Sequence, residues 1–392
     1  NRHLGRCLGC RACESVCPSG VEYGRLLEGA REVAARARPP GLLTRLLPTV
    51  MSTPSLLAPA MLLSRALRAT GIPGLLARRL PEEGRLGQLR LGMGMVAATA
   101  APELGDGRKE RVGVVVGGLR EASTASRKPN RGAGEEGSSL GKGARTAVLL
   151  GCVQEGLLGR VNEATVRVLE ANGYEVVEVP GQRCCGALHA HTGELEGARR
   201  LARENIRAFE EAGVEVVAVN AAGCGATMKE YGHLLAHDEV WRERAQGLAA
   251  RVKDVAELLG RPGVREGAAL GLKVTYDAPC HLLHAQRIAT EPVQLLAAIP
   301  GLDLVPLPGH EECCGGAGIY GVTHPELGGS IGDDKVRSVL ATGADVVVTP
   351  NPGCMMQIGA GLRMAGSAMQ VAHPLELLDE SYRRRGFYDG GV

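Results

Sequence analysis

Twelve cysteines carry most of the chemistry this sequence could perform, and they fall into three sets of four. The first, Cys7, Cys10, Cys13 and Cys17, is spaced C-x2-C-x2-C-x3-C and is followed by Pro18. Thiolates this closely spaced wrap a corner of a cubane, and the run with its proline is the ferredoxin-type pattern. Zinc usually takes two pairs a dozen or more residues apart, so a 4Fe-4S cluster is the expected occupant, with Cys7, Cys10, Cys13 and Cys17 as metal ligands. In two-cluster ferredoxins the fourth cysteine of such a run serves the neighbouring cluster. Cys17 therefore either completes its own cluster or pairs with a second motif upstream; the start at Asn1 favours a chain shortened at its N-terminus.

The other sets are Cys152, Cys184, Cys185, Cys224 and Cys280, Cys313, Cys314, Cys354. Matching positions lie 128 to 130 residues apart, which makes them two copies of one unit. Cysteine is often only a small buried hydrophobe. Preservation of four positions in two copies argues instead for soft-metal binding, either a further iron-sulfur cluster or a zinc ion in each unit. Gly186, Gly315 and Gly316, just after the cysteine pairs, allow backbone amides to approach the sulfurs. His189, His191, His281, His284 and His310 lie nearby but are expected to be hydrogen-bonded or solvent-facing, since the thiols already suffice as ligands. No Ser-His-Asp or Cys-His arrangement is evident, and no G-x-G-x-x-G follows a strand. Gly141-Lys142 fails as a phosphate loop because Glu136 and Gly143 occupy positions that need Gly and Ser or Thr. Organic catalysis by the chain itself is not expected.

The elements that must position these thiols repeat with them. Apolar strands at 147–150 and 274–276 run into the first cysteine of each copy. Helices at 157–171 and 283–299, strands at 174–179 and 302–307, and the Cys-Cys-Gly loop follow. Next come helices at 194–212 and 331–341 and apolar strands at 214–219 and 346–349, ahead of the last cysteine. Such alternation predicts parallel sheets covered by helices, with the cysteines at the carboxyl ends of the strands. The expected fold is α/β: two tandem repeated parallel-sheet cysteine-rich domains preceded by a small α-helical ferredoxin-like cluster region. The expected division is a cluster region at 1–40, a helical connecting region at 41–118, a flexible linker at 119–145, and cysteine-rich domains at 146–262 and 270–392. The linker assignment rests on its lack of large apolar side chains.

At 392 residues the chain is too long for one ordinary core. Its 45 Lys and Arg against 43 Asp and Glu, with no basic stripe interleaved with aromatics, make nucleic acid an unexpected partner. The uncharged run between Arg45 and Arg65 is broken by Pro48, Pro54 and Pro59, so no membrane-spanning helix is expected there. No export signal is recognisable, which favours reduced thiols in a cytoplasmic protein, at most peripheral on the inner face of the cell membrane.

The ferredoxin-type run followed by two Cys-Cys-Gly repeats resembles the iron-sulfur subunits of flavin-dependent 2-hydroxyacid dehydrogenases. Cys17-Pro18-Ser-Gly-Val-Glu-Tyr-Gly-Arg-Leu, Asp277-Ala-Pro-Cys280-His281-Leu-Leu-His284, Cys313-Cys314-Gly-Gly-Ala-Gly-Ile-Tyr320 and Asn351-Pro-Gly-Cys354 look like the glycolate oxidase iron-sulfur subunit family. The resemblance spans nearly the whole chain outside 105–145. It implies an electron-transfer subunit, not catalytic alone, that accepts electrons from flavin-containing glycolate oxidase subunits and passes them toward a membrane electron acceptor. The equivalent subunit of a lactate or anaerobic glycerol-3-phosphate dehydrogenase is the alternative, with Val21-Glu22-Tyr23-Gly24 favouring glycolate; a zinc-stapled scaffold is another. Two departures stand out. Related domains of heterodisulfide reductases end in a C-x2-C pair, where this chain has Ala221 and Asn351 in the first position; and only one of the family's two ferredoxin motifs is present.

Overall fold

A computed structural model describes residues 2–104, 143–260 and 263–389. Strands β1 (Arg145–Val148), β2 (Glu175–Val176), β3 (Val216–Val219) and β4 (Val252–Asp254) form a parallel sheet in the order β2-β1-β3-β4. Strands β5 (Leu272–Tyr276), β6 (Leu302–Val305), β7 (Val346–Val348) and β8 (Gln370–Ala372) repeat it as β6-β5-β7-β8. The central strands read as nearly continuous apolar runs because both faces are covered, whereas the edge strands β2 and β6 are partly exposed. The α/β fold with two tandem parallel-sheet units and a helical N-terminal region is as the sequence predicts. The expected linker at 119–145 lies outside the described residues up to residue 142.

Strand order reverses between β1 and β3, and again between β5 and β7, which opens a crevice at the carboxyl ends of those strands. Cys152 follows β1 and Cys224 follows β3; Cys280 follows β5 and Cys354 follows β7. Each switch point is therefore flanked by cysteines.

The two units share a core and exchange helices reciprocally. Helix Val153–Ala171 of the first packs on Pro374–Arg384 of the second, while Val255–Gly260 of the first packs on Glu291–Ala297 of the second. Leu169, Tyr174 and Leu258 from one side meet Leu296, Leu378 and Tyr382 from the other in one cluster. Arg167 grips Asp379 with two bonds of 2.9 and 2.7 Å, and Arg160 reaches Glu376 at 2.6 Å. His373 accepts the Leu375 N–H at Nδ1 (3.1 Å), so its Nε2–H donates to the Asn220 carbonyl across the interface (2.8 Å).

Helices Leu42–Ser52, Pro54–Ala69, Ile72–Arg79 and Gly84–Ala98 lie over these units, Gly84–Ala98 against Pro352–Met364 and Pro54–Ala69 against Val153–Ala171. The first two are bent by 98° at Thr53-Pro54, and among the described residues no single helix is long and apolar enough to cross a membrane.

The structure departs from the sequence reading in two places. The single helix expected at 283–299 is a π-helical turn, His281–Ala285, then a bend with Arg287 at φ 57°, then Glu291–Ala297. Inserted π turns recur at functional sites, and this one begins directly after Cys280. The fourth strand of each sheet was not foreseen.

Candidate metal centres

Each Cys-Cys-Gly loop turns on its glycine. Gly186 at φ +90° and Gly315 at φ +81° occupy the left-handed region, and a Cβ on Gly315 would stand 2.3 Å from the Gly328 carbonyl oxygen. Adjacent cysteines would point apart in an extended strand; this turn aims both inward.

The thiols form two rows in the same order. Cys152 Sγ lies 3.5 Å from Cys184 Sγ, Cys184 contacts Cys185, and Cys185 contacts Cys224. In the second unit Cys280 contacts Cys313, Cys313 contacts Cys314, and Cys314 Sγ lies 3.3 Å from Cys354 Sγ. All four cysteines of each unit, brought from distant sequence, thus meet. Among the described residues no three His, Cys, Asp or Glu side chains close around one point as a single metal ion requires. The sulfurs of each unit form a row.

Burial and mutual contact keep most of these thiols protonated. Cys152 is pushed well up by its contact with Cys184 and by burial, and Cys314 by Cys313, Cys354 and burial. Cys184 gains from its contact with Cys152, yet Cys185 and burial push it up to about 12. Cys313 goes the other way: Cys280, Cys314 and the Gly315 N–H all donate to it, so its thiolate is favoured. Gly315 N lies 3.4 Å from Cys313 Sγ. The Asn351 amide donates to Cys354 Sγ at 3.3 Å, so the position that holds a cysteine in the related C-x2-C pair here supplies a hydrogen bond to sulfur. All-thiol sets with N–H donors aimed at sulfur fit an iron-sulfur cluster, whose metal would deprotonate the ligands outright and offset the charge that burial opposes.

The N-terminal motif is more open. Cys13 is exposed and Cys7, Cys10 and Cys17 are partly buried. Gly9 N–H points at Cys7 Sγ (3.4 Å), and the backbone N–H groups of Val21, Ser19 and Gly20 pull the Cys17 thiol down. Burial raises the Cys10 thiol, and the charge of Cys313 adds to the rise. Cys280 in turn feels Cys10. The first motif therefore stands beside the second unit's sulfurs. Tyr320 OH of the second unit donates to the Arg6 carbonyl at 2.8 Å, and Arg31 bridges the Cys7 carbonyl (2.6 Å) to the His191 carbonyl of the first unit (2.9 Å). Arg11, paired with Glu14 at 2.9 Å and Glu230 at 2.8 Å, ties the motif to the first unit.

Of the histidines, His189, His191 and His281 sit within hydrogen-bond or ion-pair reach of neighbouring side chains. His189 is buried between Glu194 (3.2 Å) and Ser52 (3.1 Å), and His191 meets Glu28 at 3.3 Å. His281 Nδ1 lies 3.4 Å from Cys280 Sγ, with its pKa lowered by burial to about 3. His284 is 3.5 Å from Ser15, and the His310 carbonyl accepts from the Ala278 N–H.

Sequence reasoning missed the groups that hold the Cys-Cys loops. In the first unit Asn205 accepts from Arg183 N–H (2.7 Å) and donates to the Cys184 carbonyl (3.1 Å), while Tyr231 OH donates to the Cys185 carbonyl (2.8 Å). In the second, a buried Lys335 ammonium meets Asp277 at 2.8 Å and donates to the Gly309 carbonyl at 2.7 Å. A lysine and an asparagine on the apolar faces of helices were the available signal.

Paired thiol rows at the switch points of two parallel sheets define a tandem cysteine-rich-domain protein with a ferredoxin-type motif. The cysteine-rich domain family profile matches residues 146–229 and 274–359. The chain is 34% identical over 389 residues to the probable glycolate oxidase iron-sulfur subunit of Bacillus subtilis (strain 168), covering 97% of this chain and 82% of the relative. It is 31% identical over 390 residues to the glycolate oxidase iron-sulfur subunit of Escherichia coli (strain K12), covering 97% and 83%. The lactate utilization protein A of an Exiguobacterium species is 34% identical over 242 residues, which is 61% of this chain and 98% of that protein. The chain belongs to the glycolate oxidase iron-sulfur subunit family.

Proposed function

We propose that this chain is the electron-transfer subunit of a glycolate-oxidising complex. Flavin-containing subunits oxidise the 2-hydroxy acid, and the three cysteine sets hold iron-sulfur clusters that relay the electrons toward a membrane acceptor. The observation that supports the reading is that Cys10 lies close enough to Cys280 and Cys313 for their charges to interact, the proximity that one-electron relay between two centres would need. Cys7, Cys10, Cys13 and Cys17 would hold a 4Fe-4S cluster, and each row would hold one further cluster. Bound clusters supply reversible one-electron storage; the chain's own residues bind them, aim N–H groups at their sulfurs and exclude water from the two inner rows.

Likeness to the lactate utilization protein A of an Exiguobacterium species favours lactate as the second reading for the substrate of the complex. Co-purification with flavoprotein subunits, followed by anaerobic addition of glycolate, lactate or glycerol-3-phosphate, tests both. Bleaching of the visible absorption by glycolate supports the proposal; bleaching by lactate or glycerol-3-phosphate and not by glycolate moves the chain to another complex. The isolated chain should not oxidise glycolate.

A further inference from the structure

The helices over the first sulfur row have two unlike faces. Inward, Met51 and Leu57 pack against Cys152, Cys184 and Leu201. Outward, Leu42, Leu43 and Leu46 are exposed on the first helix, Leu62 and Leu63 on the second and Leu75 on the third, with Leu42 at 80% and Leu63 at 71% of full exposure. Nearly all the large exposed apolar side chains of the described residues lie between Val16 and Leu89. From Val33 to Pro81 there is no Asp or Glu, while seven arginines fall in that stretch. Arg38, Arg45 and Arg79 are exposed, and none of these three takes part in an ion pair among the described residues.

Exposed leucines rimmed by unpaired arginines with no acid between them are the chemistry of a helix that lies in the headgroup region of an anionic bilayer. The first two helices meet at a 98° bend and hold Met51 and Leu57 against the sulfur row, and among the described residues no single helix is long and apolar enough to cross a membrane. We propose that the outer face of Leu42–Ser52, Pro54–Ala69 and Ile72–Arg79 docks on an anionic lipid surface. Docked this way, one helix layer of about 10 Å separates the Cys152–Cys184 end of the first row from the bilayer, which makes that row the exit toward a membrane acceptor. This consequence rests on the electron-transfer reading; the docking itself does not.

The test is co-sedimentation of the full cluster-loaded chain with vesicles of phosphatidylcholine alone and with about a third phosphatidylglycerol, at about 0.1 M salt, where surface charges still act over roughly 10 Å. The expected result is binding to the anionic vesicles only, weakened at least about tenfold by L42Q/L43Q/L46Q and by R45E/R79E, since each basic group near such a surface contributes about a factor of five. Unchanged visible absorption and thermal midpoint show that the variants fold. Absence of binding to anionic vesicles, or binding that both variants leave intact, overturns the proposal. So does loss of flavoprotein binding in L42Q/L43Q/L46Q without vesicle binding by the parent chain, which makes the face a protein interface. Vesicle binding does not depend on glycolate reduction, so either claim can fail while the other stands.

Discussion

Cys10 and Cys313, 303 residues apart in sequence, stand close enough that charge on one raises the pKa of the other. Burial is the larger cause of the rise at Cys10, and the charge of Cys313 adds to it. Sulfur sets so placed should communicate magnetically once reduced.

In the anaerobically prepared chain, partial reduction should therefore give electron paramagnetic resonance signals broadened by interaction between neighbouring centres. C10S should abolish the N-terminal signal. C313S should leave that signal in place but sharpen it. An N-terminal signal indifferent to C313S would mean that the two sets do not form adjacent centres.

The buried Lys335–Asp277 pair should matter more for the second row than for the fold as a whole. Lys335 holds both Asp277, three residues before Cys280, and the Gly309 carbonyl ahead of the Cys-Cys loop. Burial raises Asp277 even against the ammonium, so removing the cation leaves a costly buried acid. K335M should cost about 3–5 kcal/mol in thermal or denaturant unfolding. Its iron content should fall by one centre; iron equal to that of the parent would show that the pair does not position the loop.

The sequence made the repeat, the three thiol sets and most of the strands legible because cysteine spacing and apolar runs are local signals. Strands β4 and β8 escaped because three residues, Val252–Asp254 with its Lys253 and Asp254, and Gln370–Ala372, are too short for a period to show. The π turn after Cys280 escaped because 283–299 has an apolar pattern, although Pro292, which opens the helix Glu291–Ala297, marked a break there; Leu282 and Ile288 pack with Ala222 of the first unit. The contact of Cys10 with the second unit, and the Asn205 and Lys335 supports, are tertiary choices with no spacing to announce them.

The interface between the units should be acid-sensitive through His373. Its pKa is lowered by burial to about 3, so the folded ring stays neutral while the unfolded chain takes up a proton below its ordinary value of 6.5. The contribution to stability is complete above pH 6.5 and is lost as pH falls toward 3, at up to about 1.4 kcal/mol per pH unit. H373N should flatten the fall of the thermal midpoint over that window relative to the parent chain. Parallel curves for the two proteins would contradict the assignment.

The most direct test of the central claim is the metal content of the full chain purified without oxygen. Iron and acid-labile sulfide in near-equal amounts, with zinc absent at stoichiometric level and a brown colour that dithionite bleaches, are the predicted result. Stoichiometric zinc with no iron would contradict it, and would leave the thiol rows as structural staples in a protein that carries no electrons.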